Sequence, residues 1–300
     1  MTTKRMHLDG IHHITAITAD GQRCLDFYAG ILGLAFLGRE RDFEAPDSHL
    51  IRLGHDLARP GGVLNFVEAP RIRPGRAGGG MAYRVVWSVA FPAAIGYWAD
   101  RISEAGIEVR PVEAENGGPA LRFADPDGLE HEFALDPFRQ GGLTMGSAAI
   151  PPEHALLGIS GVRAYGRESV PSADILAGRL GFSVVGRDSY RVAGEWRSAS
   201  FAFDPPPAER GSIGAGTIHH VAWACDGSLP AWRQRVIGMG CRATPVIDRS
   251  RCLSIYFREP SGVLFEIATR GPGAADEVGE LARRGFELSS RVDPRVRLPA

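Results

Sequence analysis

Two histidines and one glutamate, set at matching places in a repeated chain, are the residues best suited to chemistry. His13 stands in the run GIHHIT, His220 in TIHHVA and Glu266 in VLFEIA. Two imidazoles and one carboxylate close about half of an octahedron around a divalent ion and leave the rest open to exogenous ligands. That arrangement suits Fe(II) with an organic ligand and dioxygen side by side, and Mn(II) accepts the same donors. A structural zinc calls for a closed tetrahedron, usually with thiolates. The four cysteines, Cys24, Cys225, Cys241 and Cys252, are scattered and form no CxxC pair.

A repeat makes the three residues a set. Gly10–Glu40 lies over Gly158–Asp188 at a constant shift of 148, with identical pairs at Ala29/Ala177, Gly30/Gly178, Leu32/Leu180, Gly33/Gly181, Gly38/Gly186 and Arg39/Arg187. Arg122–Leu135 likewise lies over Tyr256–Thr269, matching Phe123 to Phe257, Pro126 to Pro260, Gly128 to Gly262 and Glu132 to Glu266. Trp98 and Gly106 pair with Trp232 and Gly240, and Trp87 pairs with Trp223 once two extra residues are allowed. The chain is therefore read as four related units, beginning near residues 7, 80, 156 and 216. At one position of the opening strand they hold His13, Arg84, Gly161 and His220. On the closing strand units two and four hold Glu132 and Glu266, and matching GGVLNFVEA to SGVLFEIAT sets Phe66 there in unit one. Only units one and four keep a metal-binding combination. If they share one concave sheet, the three side chains converge on its floor, and units two and three form a similar cup without a metal.

Each unit has the same order of elements. A β-type run such as HHITAIT or HHVAWAC comes first. A helix of about three turns follows, over Gln22–Leu32, Ala93–Ala105 or Pro230–Met239, ended by a glycine suited to a left-handed cap. Two or three strands then follow, separated by turns such as DPDG and EPSG. The fold class is thus α+β, four βαβββ modules, forming two pseudo-symmetric cups with modules one and four making the active one if those two share a sheet. The expected organisation is an N-terminal pair of modules over 1–141, a Gly/Pro-rich linker over 142–155 and a C-terminal pair over 156–300. Alternation puts Leu264 and Ala268 on the face of Glu266, with Val263, Phe265 and Ile267 behind. An ionised carboxylate in such company is rarely buried without a partner. His12 and His219 point away from the ligand face in a regular strand, unless a bulge re-aims them.

Composition sets the frame. At 300 residues, 44% hydrophobic and 23% charged, with a formal net charge of −1, the chain is a folded protein of about two domains. Balanced charge argues against nucleic acid as a partner. The opening MTTKRMHLDG carries no apolar signal segment, and no apolar run approaches the roughly 18 residues of a membrane span. Unpaired, scattered cysteines fit a reducing cytoplasm. No membrane partner is expected, and a homo-oligomer is compatible with the sequence.

These residues resemble those of the glyoxalase/bleomycin-resistance/extradiol-dioxygenase superfamily, the vicinal oxygen chelate proteins. Within it the chain is most similar to ring-cleaving dioxygenases of hydroquinones and chlorohydroquinones. The resemblance runs over nearly the whole chain and rests on HHIT, HLIRLG…RPGGVLNF, TIHHVAWA and DRSRCLSIYFREPSGVLFEIAT. It implies His13, His220 and Glu266 as iron ligands, with His12, Thr15, His219, Arg249 and Tyr256 as the surrounding catalytic residues. On this reading Tyr256 hydrogen-bonds a substrate or dioxygen oxygen, Arg249 stabilises developing negative charge, and a histidine of either pair acts as acid or base near neutrality.

The resemblance implies Fe(II)-dependent opening of a dihydroxybenzene ring, with a small aromatic substrate and dioxygen as partners. The alternative is a metal-dependent isomerase or lyase of glyoxalase type, which usually takes a fourth ligand from the remaining strand. Phe66 at that place counts against it, although Glu68 sits two residues on. A metal-free sequestering protein of the bleomycin-binding kind is the third reading. Two departures from the family pattern stand out, Cys252 in place of a bulky aromatic and the segment GPGAADEVGELARRGFELSS after Arg270.

Overall fold

The computed structural model describes residues 6–41, 48–55, 61–138, 140, 149–167, 172–249 and 251–269. The four units appear as read. Unit one comprises β1 (Leu8–Thr18), α1 (Gly21–Leu25), β2 (Ala35–Arg41), β3 (His49–Gly54) and β4 (Val63–Glu68). Unit two comprises β5 (Met81–Val89), α2 (Pro92–Glu104), β6 (Val109–Glu113), β7 (Pro119–Ala124) and β8 (Glu130–Leu135). Unit three comprises β9 (Leu156–Tyr165), α3 (Ser172–Leu176), β10 (Ser183–Gly186), β11 (Ser189–Ala193) and β12 (Ser198–Asp204). Unit four comprises β13 (Ile218–Cys225), α4 (Leu229–Gly238), β14 (Ile247–Asp248), β15 (Leu253–Arg258) and β16 (Leu264–Thr269). Of the stretch 142–155 expected as a linker, residues 142–148 lie outside the described residues, and 149–155 reach β9 through a single turn at Pro152–His154.

The units do not pair by chain order. The first eight-stranded sheet runs β14-β15-β16-β13-β1-β4-β3-β2 and joins unit four to unit one. The second runs β10-β11-β12-β9-β5-β8-β7-β6 and joins unit three to unit two. At each centre two opening strands lie antiparallel, β1 against β13 and β5 against β9, while every closing strand lies parallel to its own opening strand. Far apart in the chain, the two ends of the first sheet meet in space. Glu40 on β2 accepts from Arg251, just before β15, at 2.9 Å, and pairs with Arg52 on β3 at 2.5 Å. The sheet therefore curls into a cup.

The face outside the cups carries the core. Trp87, Trp98, Trp223 and Trp232, the repeated tryptophans, are all fully buried, as are Phe133, Phe201 and Phe265. Phe201 and Phe265 meet edge to face at 5.2 Å, which ties the second sheet to the first. Helices α2 and α4 end as expected, with Gly106 at φ 79° and Gly240 at φ 81°, positions where a side chain would be strained. The first helix departs from expectation. Only Gly21–Leu25 is α-helical, and Asp26–Ile31 widens into a π turn, with the Leu32 N–H donating to the Phe27 carbonyl at 3.0 Å. The widened turn lets the Tyr28 hydroxyl donate to Asp125 and meet His131, both at 2.8 Å, which locks unit one to unit two through a buried polar chain.

Candidate metal centre

His13 and His220 lie on the two central antiparallel strands, β1 and β13, and each sits beside a bulge. Between the pairs Ile11–Trp223 and His13–Ala222, β1 carries one extra residue, His12. Between Thr15–His220 and Ala16–Ile218, β13 carries one extra residue, His219. A bulge turns the extra side chain from its regular direction, and both re-aimed imidazoles come to rest on their neighbours. His12 Nδ1 meets His13 Nδ1 at 2.8 Å, and His219 Nδ1 meets His220 Nδ1 at the same distance. Each Nε2 of His13 and His220 is thereby left to point into the cup.

Glu266 comes from β16, whose register sets it beside Ala222 on β13 and Tyr256 on β15. The three ligand atoms converge. His13 Nε2 and His220 Nε2 are 3.3 Å apart, and Glu266 Oε2 lies 2.9 Å from His220 Nε2 and 3.4 Å from His13 Nε2. Two bonds of about 2.1 Å meeting at a right angle separate their donor atoms by about 3.0 Å. The spacing fits one ion held on one side. All three residues are buried, and Glu266 Oε2 has no hydrogen-bond partner by geometry among the described residues. A carboxylate oxygen that deep, facing two imidazole nitrogens, is the arrangement a cation satisfies.

The protonation states agree with that use. Burial by itself raises the pKa of Glu266, but the His13 and His220 rings beside it outweigh burial and hold the carboxyl well below its usual range. Burial lowers His220, so the imidazole favours the neutral, ligating form. Burial and the neighbouring His13 push His12 down to about 4, and burial with His220 pushes His219 down to about 3. They are neutral imidazoles whose visible partners are the ligand rings. Contact through Nδ1 leaves the other ring nitrogen of His13, Nε2, for a metal.

The other expected residues are brought to the same cup. Tyr256 on β15 stands edge-on to His220, with ring centroids 5.4 Å apart. Arg249 lies 5.4 Å over the Tyr256 ring and hydrogen-bonds its phenol. Burial first, then the Glu266 charge, raises Tyr256 far above the ordinary phenol, so it keeps its proton as a donor. Thr15 is buried two residues beyond His13, opposite His220 on β13 and beside Asn65 on β4. Burial and the Glu266 charge push the Cys252 thiol up to about 12. It sits 3.6 Å from the Ser254 hydroxyl.

Two residues of the site escaped the sequence reading. Ser254, fully buried on β15, donates its hydroxyl to Glu266 Oε1 at 2.5 Å and so leaves Oε2 as the free oxygen. It lies two residues before Tyr256, and strand alternation from Tyr256 would have found it. The second is Asn65. β4 pairs with β1 so that Asn65, not Phe66, lies beside Thr15, as Glu266 lies beside Ala222 on β13. Phe66 turns to the helix side and packs on Tyr28 at 4.6 Å between ring centroids. Glu68 shares that side and accepts from Arg39 at 2.6 and 2.9 Å. The expected fourth position thus belongs to Asn65, one residue earlier.

A second cluster of possible ligands, His7, Glu195 and Asp226, lies at the other end of β1 and is only partly buried.

Comparison with known proteins agrees with the fold and the cup. The model of the Glyoxalase/Bleomycin resistance protein/Dioxygenase superfamily matches residues 10–133. A Bacillus subtilis (strain 168) protein named "Putative ring-cleaving dioxygenase MhqO" is 32% identical over 292 residues, covering 95% of this chain and 92% of its own. The chlorohydroquinone/hydroquinone 1,2-dioxygenase of Sphingobium indicum is 26% identical over 308 residues, covering 96% and 92%. The crystal structure of a putative dioxygenase from Bacillus subtilis superposes with a TM-score of 0.80 at 31% identity, covering 94% of this chain and 92% of that one.

Proposed function

The chain belongs to the glyoxalase/bleomycin resistance protein/dioxygenase superfamily, and on that premise we propose that it is a dioxygenase opening the ring of a hydroquinone or related dihydroxybenzene, with His13, His220 and Glu266 holding one Fe(II) ion. The observation that carries the reading is the convergence of two imidazole nitrogens and one bare carboxylate oxygen within 3.4 Å on a buried floor. Relatives named for ring cleavage, hydroquinone among their substrates, support the reaction class. When bound in such a half-open frame, iron supplies the redox chemistry that lets dioxygen react with an aromatic ring.

The chain's own residues do the rest. His12 and His219 hold the ligand imidazoles in place through their Nδ1 contacts, and Ser254 fixes the rotation of the Glu266 carboxylate. Tyr256, kept protonated, donates a hydrogen bond to an oxygen of the substrate, and Arg249 behind it supplies fixed positive charge where negative charge develops. Buried Val63, Leu264 and Ala268 share the ligand face of their strands and keep water from the ring.

Anaerobic reconstitution with Fe(II), followed by oxygen uptake across a panel of hydroquinones and catechols, tests the reading. About one dioxygen consumed per ring opened is expected. A fully loaded protein that consumes no dioxygen with any of these phenols sinks it. Conversion of a hemithioacetal without oxygen uptake would move the assignment to the isomerase branch.

A further inference from the structure

Asn65 is the one polar side chain of unit one's closing strand that faces the cup, and its carbonyl end is left without a donor. The residue is 6% exposed, and Oδ1 has no hydrogen-bond partner among the described residues. Its direction follows from its neighbours. Phe66 packs behind the sheet on Tyr28, so alternation aims Asn65 at the ligand side. Arg52 stands next to it on β3, with Ile51 and Leu53 on either side buried in the core, so Arg52 also faces the cup. Arg52 pairs with Glu40.

The register makes Asn65 the counterpart of Glu266. Glu266 lies beside Ala222, two residues beyond His220 on β13, and Asn65 lies beside Thr15, two residues beyond His13 on β1. The two side chains therefore flank the histidines from opposite sides. An asparagine is one methylene shorter than a glutamate. Glu266 reaches the two Nε2 atoms, whereas the Asn65 side chain ends one carbon sooner. A buried acceptor with no donor is uncommon in folded proteins and carries a free-energy cost. A ligand hydroxyl donating to Oδ1 removes that cost.

We propose that Asn65 is a substrate-positioning residue whose amide oxygen accepts a hydrogen bond from a hydroxyl of the aromatic substrate, on the side of the metal opposite Glu266. The inference rests on the dihydroxybenzene reading of the site and adds a selection rule to it. The cup favours a ring carrying a free hydroxyl over the same ring with its oxygens capped.

The experiment uses Mn(II)-loaded protein without dioxygen, so that ligands bind but do not turn over. Hydroquinone and 1,4-dimethoxybenzene are titrated calorimetrically into wild type, Asn65→Leu and Asn65→Ala, with metal content measured in each. Hydroquinone affinity is expected to fall on the order of tenfold in both variants, with the dimethoxy ligand unchanged and the metal retained. Two variants of different size guard against a misfolded one. Equal hydroquinone affinity in wild type and variants overturns the proposal. So does loss of the metal from the variants, which would make Asn65 a ligand instead. Failure of wild type to retain Mn(II), or retention by Glu266→Ala, defeats the metal-site reading itself, whatever Asn65 does. A loaded wild type that binds neither compound overturns the substrate reading and this inference together.

Discussion

The two cups share a frame and differ in how their charges are satisfied. Both have opening strands crossing at the centre, closing strands alongside and a bulge on each central strand. In the second cup the extra residues are Ser160 and Tyr83, at the places of His12 and His219. Gly161 and Arg84 stand where the first cup has His13 and His220, and Glu132 stands where it has Glu266. Glu132 accepts from Arg122 at 2.7 Å and from Arg84 at 3.4 Å, while Arg84 also holds Glu130 at 2.7 Å. Arg163 is bound in turn to Asp204 and Glu115. The second cup answers its buried carboxylates with its own guanidiniums. The first leaves one oxygen of Glu266 facing two imidazoles. A shared fold thus does not make a site; an unanswered set of donor atoms does.

Removing Glu266 should break the contrast most completely. Glu266→Ala is expected to lose essentially all bound metal and all oxygen uptake, read by metal analysis of the purified protein. Full metal content in this variant would contradict the ligand set. Glu132→Ala is the mirror experiment, with metal content unchanged but folding weakened by about 2 kcal/mol, because buried Arg84 and part-buried Arg122 lose a carboxylate partner while Arg84 keeps Glu130. Urea denaturation reads that loss, and metal depletion in the Glu132 variant would deny that only one cup is live.

Smaller effects sharpen the picture. His12→Ala and His219→Ala should each weaken metal binding about 10- to 100-fold by freeing a ligand imidazole to rotate. A chelator competition that finds no change would reduce the paired bulges to packing. Tyr256→Phe should keep the metal while slowing turnover, and single-turnover rates at equal metal loading decide it. Arg251→Ala, which unties the exposed pair at the rim, should cost no more than about 1 kcal/mol of stability.

Much of this was legible in the sequence. The internal repeat gave the units and their order of elements and selected His13, His220 and Glu266 as one set, while the joining of unit one to unit four followed from the family resemblance. It failed where identity of residues and identity of position part company. GGVL and SGVL align by letter, yet the strand pairing shifts that match by one residue. A single-residue slip exchanges the two faces of a strand, so Phe66 went to the cup and Asn65 to the core in the letter alignment. Ser254 carried no repeat signal, since a hydroxyl on a strand is common. The π turn after α1 answers to Asp125 and His131, more than ninety positions away, which no local pattern encodes. The segment after Arg270, singled out as divergent, lies outside the described residues.

The joining of the first and last units has a consequence during synthesis. His13 and His220 are 207 positions apart, and Glu266 follows later still. A growing chain exposes the first of the three candidate ligands long before the other two exist, and β1 lacks its antiparallel neighbour until β13 leaves the ribosome. Convergence of the three candidate ligands is thereby postponed until β16 has been made. A product ended before Glu266 carries two of the three donors and no assembled set.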